Sequence, residues 1–208
     1  HVRLRYRSGR RLAVAMPPFW LWSLGVSFGF AIMLLWPLPA LLHTHTIDTG
    51  DALHLAWVVR WAQATMLGQS PPFTAPAGYP HAAALLFNPP LYAPALIGLP
   101  LQLAGWSPSA VYGALTILSF ALTAWAVALL AYEVSGSTIG GLVAGIGFAF
   151  SDVRLAHLAH LNLLSGFWMV LLLWLVVRAW RCPPQTGHGR LALAVCAGVL
   201  AAAQALSD

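Results

Sequence analysis

The sequence predicts an all-α, polytopic integral membrane protein with about five transmembrane helices, on three observations. Of 208 residues, 60% are hydrophobic and only 7% are charged, against roughly 25% charged in an ordinary soluble domain. Mean hydropathy is +0.77, and the apolar residues gather in runs close to the roughly 20 that cross a bilayer as a helix. Ten Trp and fifteen Pro without a short repeat exclude disordered, collagenous and coiled-coil chains.

All ten basic residues are Arg, and five of them stand in the first eleven, HVRLRYRSGRR, directly ahead of an apolar run. Arg in that place is a topology signal rather than a phosphate-binding patch, so nucleic acid is not an expected partner. Cys182 and Cys196 form neither a disulfide framework nor a zinc spacing.

Residues 19–42, 110–131, 134–150 and 161–177 are each apolar enough to span, and 191–206 adds a fifth run near the end of the chain. The segment 85–103, LLFNPPLYAPALIGLPLQL, is also apolar, but it carries Pro89, Pro90, Pro94 and Pro100. Each interior Pro frees a carbonyl that hydrocarbon cannot satisfy. If this segment does not cross, eight of the ten Arg share the side of the N-terminus and only Arg60 and Arg154 lie opposite; if it crosses, the split is six to four. The positive-inside rule selects the first arrangement, with a cytoplasmic N-terminus.

Two outer loops follow, 43–108 with juxtamembrane helices and 151–160. Asp48, Asp51, Asp152 and Asp208 are then external and only Glu133 is internal. No ionisable residue falls within the five runs, so the marks of a proton or ion pathway are missing from this stretch. Gly136, Gly140, Gly141 and Gly145 make two small-xxx-small repeats, the pattern of close helix packing.

The first outer loop opens HTHTIDTGDALHLAW, the pattern of a helix start. One reading is structural: Asp48 caps the helix, and Asp51 complements its dipole. The other is functional, because a carboxylate one turn beyond a membrane span can meet both a lipid head group and a soluble substrate. His54 shares the face of Asp51, and Trp57 and Trp61 continue it, first as interface anchors and second as a sugar platform. Arg60 falls about half a turn away and is left out of the cluster. The rest of the loop is read as a Pro-rich lid on the membrane surface, with His81 a solvated loop residue.

THTIDTGDALHLAW, FNPPLYAPALIGLP and FSDVRLAHLAHLN, in this order around the second and third spans, resemble the GT-C superfamily of membrane glycosyltransferases. That superfamily includes the protein O-mannosyltransferases and the aminoarabinose transferase of lipid A. The resemblance covers most of the chain by topology and short motifs by residue. It implies transfer of a sugar from a polyprenyl-phosphate carrier to an acceptor on the outer face, in a bacterial plasma membrane. It places the catalytic base at Asp51 first and Asp48 second, and a further acid at Asp152, where a divalent metal is a candidate cofactor. The family's common Asp-Glu pair is absent, since Ala52 follows Asp51, and so is an Asp-x-Asp in the second loop.

A carboxylate would take the acceptor's proton as its oxygen attacks the anomeric carbon, with inversion. Donors for the leaving phosphate are expected from Arg154, His157, His160 and Asn162, with Arg154 and His157 on one helical face. His54 is a further substrate-binding candidate. The chain, starting at His1 without Met and stopping near an apolar run, is expected to be the N-terminal part of a larger module. A transporter or flippase component and a noncatalytic scaffold subunit remain open as rival readings.

Overall fold

Proline and glycine set the limits of the helices. The structure, a computed structural model, describes residues 16–77, 80, 83–181, 183 and 186–208; the Arg-rich start, His81 and Cys182 lie outside the described residues. Every regular element among the described residues is helical.

Helix α1 (Met16–Leu34) carries Pro17 and Pro18 in its first turn, where no intrahelical N–H is required. Pro37 ends the continuity, since proline lacks the N–H and disfavours helix at the residue before it. The single span expected over 19–42 is therefore divided into α1, a turn, and the one-turn α2 (Leu38–Leu41).

Next comes α3 (Asp51–Met66), which buries Ala52, Leu55, Ala56, Val59, Ala62 and Gln63, one stripe at helical spacing. A 3-10 turn (Ala84–Phe87) and an extended Asn88 lead to Leu91, held in the left-handed region at φ 49°, and then to α4 (Tyr92–Leu103). The 12 residues of α4 reach about 18 Å, short of the roughly 30 Å hydrocarbon core. The Pro-rich segment thus does not cross as one helix.

The 28-residue α5 (Pro108–Ser135) is the hub. Ser107 Oγ accepts from the Ala110 N–H at 3.2 Å to start it, and Gly136, at φ 71°, ends it in the left-handed conformation that glycine adopts without steric cost. Val111, Tyr112 and Leu115 pack with α3 and α4. Further along, Ile117, Phe120 and Ala121 meet Ala31 of α1 and Leu35 just beyond it, and Ala128, Leu129 and Tyr132 meet Phe19.

Then follow α6 (Thr138–Ala149), α7 (Asp152–Ala156), α8 (Leu161–Leu164), α9 (Phe167–Arg181) and α10 (Gly187–Ala205). Four helical stretches among the described residues are long and apolar enough to cross a membrane: Pro108–Ser135, Thr138–Ala156, Leu161–Arg181 and Gly187–Ala205. Phe19–Leu34 is apolar but shorter, so the span expected over 19–42, the first of the five, is not matched at the same standard. The stretches also reach past the runs marked in the sequence: Glu133 lies inside α5, and Asp152, Arg154, Arg178 and Arg181 stand near the ends of their stretches. At the C-terminal end of α5, Arg178 pairs with Glu133 at 3.2 Å and Arg181 donates to the Glu133 and Val134 carbonyls. Cations there complement the helix dipole.

Of the two glycine repeats, one packs helices. A Cβ on Gly145 would overlap the Ala124 carbonyl oxygen, and one on Gly141 would stand 2.9 Å from that of Ala128, so both glycines let α6 lie directly on α5. Gly136 instead ends α5, and Gly140 faces the Ser137 side chain of its own helix start.

A methyl group added at Gly147 would meet nothing within 4 Å. Gly145→Ala should therefore lower thermal stability in detergent by about 1–3 kcal/mol, whereas Gly147→Ala should be neutral or slightly stabilising. Equal unfolding midpoints for the two variants would contradict this packing.

Candidate functional site

The side chain that builds the site is Tyr112, on the first turns of α5 and almost fully buried. Its hydroxyl donates to the Ala159 carbonyl at 2.6 Å and accepts from the Leu161 N–H at 3.1 Å. Those two backbone groups flank His160. With both bonds made, the 151–160 loop is fixed to α5 and His160 is fixed with it. Its Nε2 lies 3.1 Å from Asp51 Oδ2, in the first turn of α3. The aspartate-bearing start of α3 and the histidine end of the 151–160 loop therefore meet, although 109 positions separate the two residues.

The partition of polar atoms is informative. His160 Nδ1 is buried without a partner, so the ring hydrogen sits best on Nε2, where Asp51 accepts it. Asp51 keeps 67% of its side chain exposed, against 37% for His160. The group left facing solvent is the carboxylate, oriented through one oxygen by the imidazole. An exposed pair of this kind contributes only about 0–1 kcal/mol to stability; its effect is orientation.

Asp48 does not follow its structural reading. Its Oδ2 accepts from the Gly50 N–H at 3.0 Å, closing a local turn, while Gly50 occupies the cap position with no side-chain cap bond. Asp48 is not the helix cap. Asp51 stands in the first turn, as the dipole reading requires.

His54, one turn after Asp51, bonds through Nε2 to Asn88 Oδ1 at 2.5 Å, and Asn88 Nδ2 donates to the Ala84 carbonyl at 3.2 Å. This ties α3 to the FNPP segment. The His54 and Trp57 rings stack at 6.0 Å and the Trp57 and Trp61 rings lie 5.6 Å apart, so the aromatic stripe is a continuous ladder.

Arg154 does not join the cluster. Its Nη2 donates to Thr123 Oγ1 at 3.1 Å and to the Leu164 carbonyl at 2.9 Å, and its guanidinium lies over the Phe120 and Phe148 rings. The guanidinium fastens α7 to α5 and to the end of α8. Nor do Arg154 and His157 share a helical face, because α7 ends at Ala156 and His157 Nδ1 turns back to donate to the Val153 carbonyl at 2.7 Å. The His157 ring meets His160 edge-on at 5.7 Å. Asn162 is half-buried on α8, one residue beyond the Tyr112 clamp. Asp152 lies exposed in the first turn of α7. Among the described residues no three His, Cys, Asp or Glu side chains are grouped to hold a metal ion, so Asp152 has no ligand set around it.

Two residues of the site carried weak signals in the sequence. Asn88 is the one amide in the apolar run LLFNPPLY, a detectable oddity. Tyr112 sits in an apolar helix and its partners are backbone atoms, which leave no sequence mark. No family model, curated protein or solved structure matches this chain.

Tyr112→Phe keeps the ring and strands the Ala159 carbonyl and Leu161 N–H. It should cost about 1–3 kcal/mol and accelerate amide hydrogen exchange at Leu161 while α5 stays protected. Unchanged exchange at Leu161 would show that the hydroxyl does not hold this loop.

Proposed function

We propose that this chain belongs to a membrane glycosyltransferase that moves a sugar from a polyprenyl-phosphate donor to an acceptor hydroxyl at the outer membrane surface, with Asp51 as general base. The observation that supports this reading best is the contact between Asp51 and His160, which joins two outer segments at one exposed carboxylate. The resemblance of the three outer-loop motifs to the GT-C superfamily is its second support.

Within this reading the roles follow from the bonds each group already makes. Oδ2 of Asp51 is held by His160, so Oδ1 takes the acceptor proton while the acceptor oxygen attacks the anomeric carbon and the carrier phosphate departs with its bonding pair. His160 orients the base rather than replacing it, since its other nitrogen is sealed. Asp48, spent on its own turn, is the weaker candidate. His157 adjoins the pair; with Nδ1 donating to the Val153 carbonyl, it is a candidate donor to the leaving phosphate through Nε2 in its imidazolium form. Arg154, with its guanidinium engaged inside the bundle, supports the loop instead.

Membranes carrying the protein should transfer sugar from one of a panel of polyprenyl-phosphate hexoses and pentoses. Asp51→Asn should lower that transfer by about 10²–10⁴-fold, with the protein folded and still in the membrane. Asp48→Asn should stay within about threefold of the parent, because its contact is local. A noncatalytic scaffold or a transporter would tolerate Asp51→Asn, and that outcome would overturn the proposal.

A further inference from the structure

Two cavities adjoin each other against α3 and share Leu85 and Asn88 as a common wall. The larger, about 320 Å³, is bounded by His54, Trp57 and Phe87. The smaller, about 210 Å³, lies among Val58, Trp61, Phe73, Leu86 and Tyr92. Their chemistry differs sharply.

In the smaller chamber the polar side chains other than the shared Asn88 are already spent. Trp61 Nε1–H donates to the Pro71 carbonyl at 2.8 Å and the Tyr92 hydroxyl donates to that of Pro72 at 3.3 Å. What this chamber offers a ligand is hydrocarbon surface, which suits an alkyl or isoprenoid chain.

In the larger chamber polar capacity is left over. Because Asn88 Nδ2 is committed to the Ala84 carbonyl, its Oδ1 must face His54, and the imidazole hydrogen therefore sits on Nε2. His54 Nδ1 remains as an acceptor, the second Asn88 amide hydrogen as a donor, and the Trp57 ring as a flat face. Hydroxyl groups on a ring match that set. A phosphate does not, since no Arg among the described residues lines either chamber and an anion there would be desolvated without a countercharge.

We propose that the paired chambers bind one neutral, hydroxyl-headed amphiphile of the glycolipid class, its head against His54, Trp57 and Asn88 and its chain along Trp61 and Phe73. His54 follows Asp51 by one helical turn, so the head lies beside the exposed carboxylate. If the transferase reading above holds, on which this last step rests, the amphiphile is the acceptor, and the acceptor is membrane-borne rather than soluble.

The test uses the whole chain in phosphatidylcholine nanodiscs and a hexyl β-glucoside with a diazirine at the end of its chain. Photolabel should appear in segments 57–62 and 85–92. Excess hexyl β-glucoside should reduce it about tenfold, whereas hexyl phosphate and free glucose should each change it less than about twofold, since each lacks one half of the match. Asn88→Leu, which removes the polar group of the shared wall, and Leu86→Trp, which fills the smaller chamber, should each lower labelling about tenfold. Competition by hexyl phosphate equal to that of the glucoside overturns the neutral head, and absent or uncompeted labelling of these segments overturns the site. The competition arms need only the unmodified protein, so a variant that fails to fold leaves the result decisive. Glucoside-competed labelling of a protein that transfers no sugar from any donor of the panel would leave the cleft standing and overturn only the transferase reading, which separates the two failures.

Discussion

The Tyr112 hydroxyl is one polar atom in the long apolar helix α5, and the candidate site at that end of the helix depends on where it points. It accepts from one peptide and donates to another, and the residue between them is His160. Buried peptide groups left without partners cost about 1–3 kcal/mol each, so the loop has one well-satisfied position against the helix. From that position His160 reaches Asp51, and the start of α3 is oriented in turn. The chain of causes runs from a buried hydroxyl, through two backbone bonds, to the carboxylate exposed at the surface.

That arrangement needs a rigid hub, and α5 supplies it by packing along its whole length. Gly141 and Gly145 bring α6 against the α5 backbone, α1 covers its middle and C-terminal thirds, and Arg178 and Arg181 fasten α9 to its C-terminal end. Arg154 belongs to the same scaffold. Its guanidinium, bonded to Thr123 and the Leu164 carbonyl, anchors the segment that leads into His157 and His160. A cation that composition alone presents as a phosphate ligand is here a fastening inside the bundle.

The helical class, with four stretches long and apolar enough to cross a membrane, was legible because hydropathy reports on local burial and needs no tertiary knowledge. Asp51 was legible too, since a short acid-rich turn ahead of an apolar stripe marks a helix start. Pro37 carried the break in the first span, but hydropathy over the whole run outweighed it. The Gly141–Gly145 pair was visible as spacing, while its separation from Gly136 and Gly140 depended on where α5 ended. Asp48 and Arg154 were placed by partners distant in sequence or by backbone atoms, and neither leaves a pattern in residue types. Tyr112 is the extreme case, a site-forming residue whose two partners are main-chain groups nearly fifty positions away.

The central claim is the meeting of Asp51 and His160, and proximity cross-linking tests it most directly. Cysteines placed by Asp51→Cys and His160→Cys, in a chain whose native cysteines are replaced by Ser, should be joined by a short bis-methanethiosulfonate reagent in membranes. A reference pair made by Glu133→Cys and Arg178→Cys, residues in contact at the other end of α5, shows that the reagent works on the folded chain. Efficient joining of both pairs is the expected result. Joining of the reference pair without the 51–160 pair would contradict the proposed geometry of the outer face.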